Sequence, residues 1–303
     1  MLPSWNDTEI KKSLITFVER VATKSSPEFI PVEERIAVFD NDGTLWTEQP
    51  TVIEGFFSFD RIHEMVTKDP AMKEKQPYKA FLERDVKTIH DLGKKGIIEF
   101  VFKAHEAETQ EDFNTITTNW FSKAMHPYFK KLCTECIYKP QLELLDYLRA
   151  NGFKTYIVTG GGIEFVRAVA EKVYGIPPEQ VIGSSSKTKF RLKEKKVDVC
   201  RIGELNSFDD REEKVVNISL HIGRRPLFVF GNSDGDLRMM QYVLSAEGPR
   251  MAMLLHHDDA QREFAYDRDF KLSPLNDALT VANDWGILIV SMKNDWNKVF
   301  AFD

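Results

Sequence analysis

The chain is poor in cysteine, has no long apolar run and carries no excess of basic charge. Each shortage removes a class of protein. Three cysteines, Cys133, Cys136 and Cys200, in 303 residues are too few, and odd in number, for a disulfide framework. Cys133-x-x-Cys136 has the spacing of half a zinc site, but no second pair follows and His126 is poorly placed, so buried or incidental thiols are expected. No stretch approaches the ~18 apolar residues that a membrane span needs. The first residues, Met1 to Asp7, lack the basic start and apolar stretch of a signal peptide. A soluble, cytoplasmic protein is the expectation. The net charge of −6 gives no electrostatic footprint for nucleic acid. A phosphate-bearing ligand would therefore need local positive charge, from a metal ion and a few Lys or Arg.

What is present begins with Ile36-Ala37-Val38-Phe39, an apolar run that ends in Asp40-Asn41-Asp42-Gly43-Thr44-Leu45. The pattern predicts a buried parallel strand delivering two carboxylates to its carboxyl end, where open α/β sheets bind ligands. Two carboxylates this close repel unless something positive lies between them, and carboxylate, carbonyl and water ligands suit Mg²⁺.

The length allows one large α/β domain, or a core and a smaller domain. Helix spacing runs from Thr8 to about Ala22, and Pro27 and Pro31 punctuate the approach to the first strand. From about Pro50 to Cys136 the chain is rich in Phe, His and charge and poor in strand patterns. Gly93 and Gly96 interrupt what otherwise reads as several short helices, so this stretch is taken as a helical insertion at 51–137.

After Pro140 an α/β rhythm follows: a helix over Gln141 to Ala150, a strand Thr155 to Val158 running into Thr159-Gly160-Gly161-Gly162, and a helix from Ile163 to Tyr174. Val181-Ile182-Gly183 starts a further strand, and the charged and apolar alternation over Phe190 to Val199 suggests a surface hairpin. Strands at Pro226 to Phe230, Met251 to Leu255 and Ile287 to Val290, with a helix over Leu237 to Leu244, complete the series. Strands separated by helices imply an α/β fold with a doubly wound, mostly parallel sheet, formed by 1–50 and 138–303. No internal repeat or low-complexity segment is present.

Four groups fall at predicted strand ends or beside them: Asp40/Asp42, Thr159-Gly160-Gly161, Lys214, and Asn232/Asp234/Asp236. Parallel strands end on one edge, so these groups can converge. They match what phosphoryl transfer from a monoester requires. Asp40 can attack to form an aspartyl phosphate; Asp42 can protonate the leaving group and then activate water. Thr159 and the amides of Gly160 and Gly161 precede a helix and can hold an anionic oxygen. Lys214 can neutralise charge, and the acidic loop can complete a metal site.

This set, in this order from about Arg35 to Met253, resembles the four motifs of the haloacid-dehalogenase-like phosphohydrolases, most closely the phosphoserine-phosphatase-like branch with a helical cap. The resemblance implies a Rossmann-like core, an inserted mainly helical cap, Mg²⁺ dependence and a small phosphorylated metabolite as substrate. An acid at position 42 fits phosphatases and phosphomutases; dehalogenases lack it and transport ATPases carry Thr there. The fourth motif departs from the pattern, since Asn232 stands where these phosphatases place a metal-binding Asp. The resemblance then implies Asp40, the Asp42 backbone carbonyl and Asn232 as direct ligands, with Asp236 holding metal-bound water and Asp234 as a less favoured stand-in.

Other features carry weaker expectations. Phe56, Phe57 and Phe59 read as cap core, His256-His257-Asp258-Asp259 as a loop, and Arg224-Arg225 stays uncommitted. Glu48, His105 and Arg167 could meet substrate in the cleft between cap and core. The expected activity is phosphomonoester hydrolysis; a phosphotransferase or phosphomutase, or a catalytically weak phosphate-binding protein suggested by Asn232, are the alternatives.

Overall fold

The computed structural model describes residues 1–270 and 273–303. Its centre is an eight-stranded sheet. The strands are β1 (Ile36–Phe39), β2 (Lys154–Gly162), β3 (Val181–Lys193), β4 (Lys196–Ser207), β5 (Phe228–Gly231), β6 (Met251–Asp258), β7 (Ala265–Tyr266) and β8 (Leu288–Ser291). The order is β4-β3-β2-β1-β5-β6-β7, with β8 also paired to β6. The pairs β1–β2, β1–β5, β2–β3, β5–β6 and β6–β8 are parallel; β3–β4 and β6–β7 are antiparallel.

The pleat explains why β1 is apolar at every position. Successive side chains point to opposite faces, and both faces are covered. Ala37 and Phe39 join a core with α1 (Glu9–Ala22), α6 (Lys139–Ala150) and α7 (Ile163–Tyr174). Ile36 and Val38 join a second core with α8 (Glu212–Ile222), α9 (Leu237–Leu244) and α10 (Asp277–Trp285). The chain winds from β1 to β2 and β3 on one side, then returns to place β5, β6 and β8 on the other. The reversal beside β1 is the switch point at which such sheets bind ligands. A short α11 (Met292–Asp295) follows β8.

Between β1 and α6 the chain forms α2 (Ile53–Lys68), α3 (Tyr78–Glu83), α4 (Val86–Ala104) and α5 (Gln110–Phe121). Phe57 ties α2 to α5 and α7, with ring centroids 5.9 Å from Phe113, 5.5 Å from Trp120 and 5.2 Å from Phe165 of α7. Gly93 kinks α4 at φ +58°, ψ −160°, whereas Gly96 is helical and buried against Leu92. Only the first of the two glycines interrupts the helix.

Two strand expectations fall short. The hairpin is far longer than 190–199, pairing Ser185 with Ser207 at its base and Lys193 with Lys196 at its tip. Its exposed distal half alternates visibly, but Ser184-Ser185-Ser186-Lys187 carries no apolar signal. The proximal half is held instead by Arg201, which donates to the His105 carbonyl, Gln110 Oε1 and Ser186 Oγ and stacks 4.3 Å from the Phe113 ring. The hairpin thereby packs against α4 and α5. The second difference is at His256-His257-Asp258, which continues β6 rather than forming a loop, because β8 pairs with it as far as His256–Ser291 and β7 pairs beyond.

Candidate active site

Register sets the site. Phe39 lies level with Ile157 of β2 and Phe230 of β5, and the Asp40 amide donates to the Phe230 carbonyl at 2.9 Å. Asp40, Val158-Thr159 and Gly231-Asn232 therefore leave the sheet side by side. Lys214, in the first turn of α8, reaches into this edge and spends its three protons on Asp40 Oδ1 (2.7 Å), Asp236 Oδ1 (2.7 Å) and the Val158 carbonyl (2.9 Å). The lysine is only 2% exposed. Burial alone would lower its pKa, but the carboxylates of Asp236 and Asp40 more than offset that and hold it well above the ordinary lysine value. It is a fixed positive charge.

Burial, and then Asp236, push the Asp40 carboxyl upward against the pull of Lys214. Asp42 stays partly open to solvent, and Trp46 Nε1 donates to its Oδ1 at 2.9 Å. Burial, aided by the charge of Glu54, raises Asp42 to about 7, with the Trp46 bond and Lys214 opposing. An acid poised near neutrality can both give and take a proton.

The Thr159 loop lies against Asp42. A β-carbon on Gly161 would sit 3.5 Å from Asp42 Oδ2, 3.3 Å from Thr159 Oγ1 and 3.2 Å from Glu54 Oε2. Thr159 Oγ1 already accepts from the Gly161 amide at 3.0 Å. Gly160 and Gly161 remain partly exposed and, with Asp42, form the open side of the site. The next amide, Gly162, donates to both oxygens of Glu54 (3.1 and 2.9 Å), a residue from the first turn of α2. Glu54 in turn pairs with the buried His105 at 2.6 Å. Any side chain at Gly162 would collide with that pair.

Thr44 ties the first and fourth motifs together, its hydroxyl lying 3.2 Å from Asp40 Oδ2 and 3.0 Å from Asn232 Oδ1. Carboxylate, amide carbonyl and backbone carbonyl are hard oxygen donors of the kind Mg²⁺ takes, so the residues around Thr44 fit that ion. Among the described residues no three Asp, Glu, His or Cys side chains surround one cation-sized space, in keeping with an amide where a carboxylate would complete such a group. Asp236 is engaged by protein groups. Its Oδ1 meets Lys214, and its Oδ2 accepts from the amides of Asn232 (2.9 Å) and Ser233 (3.1 Å), so it orients the lysine and the loop. Asp234 is turned away, accepting from the amides of Asn276 and Ala278 at the start of α10.

The structure also corrects the cleft candidates. Arg167 bonds Glu164 and the carbonyls of Pro178 and Val181, apart from this edge. His105 is interior, its Nε2 lying 2.6 Å from Glu54 Oε1. Arg225 stacks 4.0 Å from the Tyr242 ring and donates to the Tyr242 carbonyl at the end of α9. Cys133 and Cys136 are free and buried, their thiols pushed to about 12 mainly by burial. Two residues were not legible as part of the site. Asp209, fully buried, accepts from Asn217 Nδ2 at 2.9 Å, lies within the field of Lys214 and is raised to about 6 by burial. His257 Nε2 donates to the Gly43 carbonyl at 2.7 Å and fixes the motif turn. Asp209 has no sequence signal, and His257 stands out only within the run His256-His257-Asp258-Asp259, read there as a loop; both act through tertiary contacts.

Comparison with known proteins agrees with this architecture. The family model described as haloacid dehalogenase-like hydrolase matches residues 37–241. A protein of unknown function from Bordetella pertussis Tohama I aligns with a TM-score of 0.54 at 14% identity, over 85% of this chain and 98% of that one. A functionally unknown protein from Anaerococcus prevotii DSM 20548 aligns with a TM-score of 0.54 at 15% identity, over 84% of this chain and 87% of that one. A search of curated protein sequences gives no match. The family match spans well over half of the chain and contains Asp40, Asp42, Thr159, Lys214, Asn232 and Asp236, and the chain belongs to the haloacid dehalogenase-like hydrolases.

Proposed function

We propose that the protein is a Mg²⁺-dependent phosphomonoesterase acting on a small phosphorylated metabolite through a phosphorylated Asp40. The observation that carries this reading is the meeting of three groups at one sheet edge: Asp40 gripped by Lys214 at 2.7 Å, with the partly open Asp42, held by Trp46 at 2.9 Å, two residues on. Asp40 attacks phosphorus in line and the ester P–O bond breaks. Asp42 gives its proton to the departing alkoxide. Asp42 then takes a proton from water, whose oxygen attacks phosphorus and breaks the bond to Asp40, releasing phosphate. Lys214 holds the carboxylate of Asp40 in one rotation and neutralises charge throughout. Thr159, Gly160 and Gly161 receive a phosphoryl oxygen.

Bound at Asp40, the Asp42 carbonyl and Asn232, Mg²⁺ would supply further positive charge for the phosphoryl oxygens. Residues 51–137 are assigned as a cap. Support comes from Glu54, which projects from α2 onto the Thr159 loop, and from Lys94 of α4, which meets Asp210 at 2.9 Å on the approach to α8. A cover so close to the reacting groups restricts substrates to small molecules and excludes water.

Hydrolysis of p-nitrophenyl phosphate with and without Mg²⁺ tests the proposal. Turnover should need the metal, and Asp40→Asn should remove essentially all of it while the circular dichroism spectrum stays unchanged. Turnover near wild type in that variant would exclude Asp40 as nucleophile. Phosphate binding without turnover in the wild-type protein would favour a binding role, to which the neutral Asn232 lends some support.

A further inference from the structure

Asn232 brings no charge to a place where the family pattern has a carboxylate, yet the structure sets a carboxylate directly behind it. Glu48, from the loop that begins with Asp40, is fully buried, and its Oε1 accepts from Asn232 Nδ2 at 2.7 Å. Tyr266 of β7 donates to the same oxygen at 2.9 Å, and Ser273 donates to Oε2 at 2.8 Å. These three donors, the partners of Glu48 among the described residues, are all neutral. The approach is close because residue 43 has no side chain. Gly43 sits at φ +74°, and a β-carbon there would overlap both Asn232 Nδ2 and Glu48 Oε1. Burying a carboxylate is costly, and neutral donors offset only part of that cost. The chain has placed one within reach of the candidate metal ligands and fixed its direction with two further residues.

We infer that Glu48 supplies the metal site with the negative charge that Asn232 lacks, so that Asn232 and Glu48 together do the work of the missing aspartate. The inference rests on the metal-dependent reading above and assigns the cation's charge partner within it. Glu48 holds the amide through Nδ2, which keeps the carbonyl oxygen of Asn232 on the Thr44 side, toward Asp40. Tyr266 and Ser273 act as the outer layer that orients such a group.

Isothermal calorimetry with Mg²⁺ on the wild-type protein, Glu48→Gln, Asn232→Asp and the double variant provides the test. Glu48→Gln should weaken Mg²⁺ binding on the order of ten- to a hundredfold, the range seen when partners of metal ligands are removed. The double variant, with the charge moved back to position 232, should recover most of that loss. Glu48→Gln with unchanged affinity, or a double variant as weak as Glu48→Gln, overturns the inference. Should Glu48→Gln fail to fold, Asn232→Asp decides alone, because it places two carboxylates at a contact now made by an amide and a carboxylate. Its melting temperature should fall in EDTA, and Mg²⁺ should raise it by more than in the wild-type protein; an equal rise overturns the inference. A wild-type protein that neither binds Mg²⁺ nor releases phosphate refutes the functional reading itself. A wild-type protein that does both, beside a Glu48→Gln variant of equal Mg²⁺ affinity, refutes only the role of Glu48.

Discussion

Lys214 shows how one side chain can organise a site and stabilise a fold together. Among the described residues it is the one cation between two buried carboxylates, Asp40 and Asp236, at 2.7 Å each. Lys214→Met should therefore do more than slow turnover. It leaves two uncompensated acids facing one another, a change of the kind that costs about 3–5 kcal/mol. Urea denaturation of the metal-free protein measures this, and a loss below about 1 kcal/mol, the worth of an exposed pair, would show that the pair is solvated. The glycines of the site answer to close approach. Gly162 leaves room for the Glu54–His105 pair, and Gly43 leaves room for Glu48 and Asn232.

Among the elements, the β3–β4 hairpin does something that its exposed, charge-rich tip conceals. Its root is part of the packing that holds α4 and α5, through the buried Arg201 and an isolated bridge between Ala107 and Arg201. Arg201→Gln removes donors from the His105 carbonyl, Gln110 and Ser186, and the stacking on Phe113. We expect a loss of about 2–3 kcal/mol, from unsatisfied buried acceptors and the lost cation–π contact. Thermal unfolding measures it. Phe190 at the tip, 66% exposed, is the control: Phe190→Thr should change stability by less than about 0.5 kcal/mol.

For the whole molecule, the acids at the sheet edge make stability depend on pH and on metal. Asp42 is raised from 3.8 to about 7 and Asp209 to about 6, both chiefly by burial. The folded state then binds more protons than the unfolded state between about pH 4 and 7. Stability therefore falls as pH rises through that window. The metal-free protein should melt at a lower temperature at pH 8 than at pH 5. Mg²⁺ should narrow the gap, because a cation that binds only the folded state stabilises it and favours the ionised acids. Differential scanning calorimetry in EDTA and in Mg²⁺ reads both effects; a melting temperature that rises from pH 5 to pH 8 in EDTA would contradict the assignment. Among the described residues no helix is long and apolar enough to cross a membrane.

The elements that could be read in advance share one property: their signal is local. β1, α7, α9 and the strand at Phe228–Gly231 announce themselves through continuous apolar runs or helical spacing, and a strand ending in Asp-x-Asp-Gly announces an acidic sheet edge. Lys214 could be singled out by its place before an apolar helical segment. The chain order alone thus determined an α/β core with its acids and glycine loop at strand ends and its lysine at the start of a helix. Tertiary structure decided the rest. It brought Glu48 to Asn232, turned Asp234 to cap α10, spent Asp236 on Lys214, extended β6 through His257, and made Arg201 a support for the inserted helices. Each of these depends on partners tens to more than two hundred residues away, and a carboxylate's role follows from which charge or amide it meets in space, which no spacing within one segment encodes.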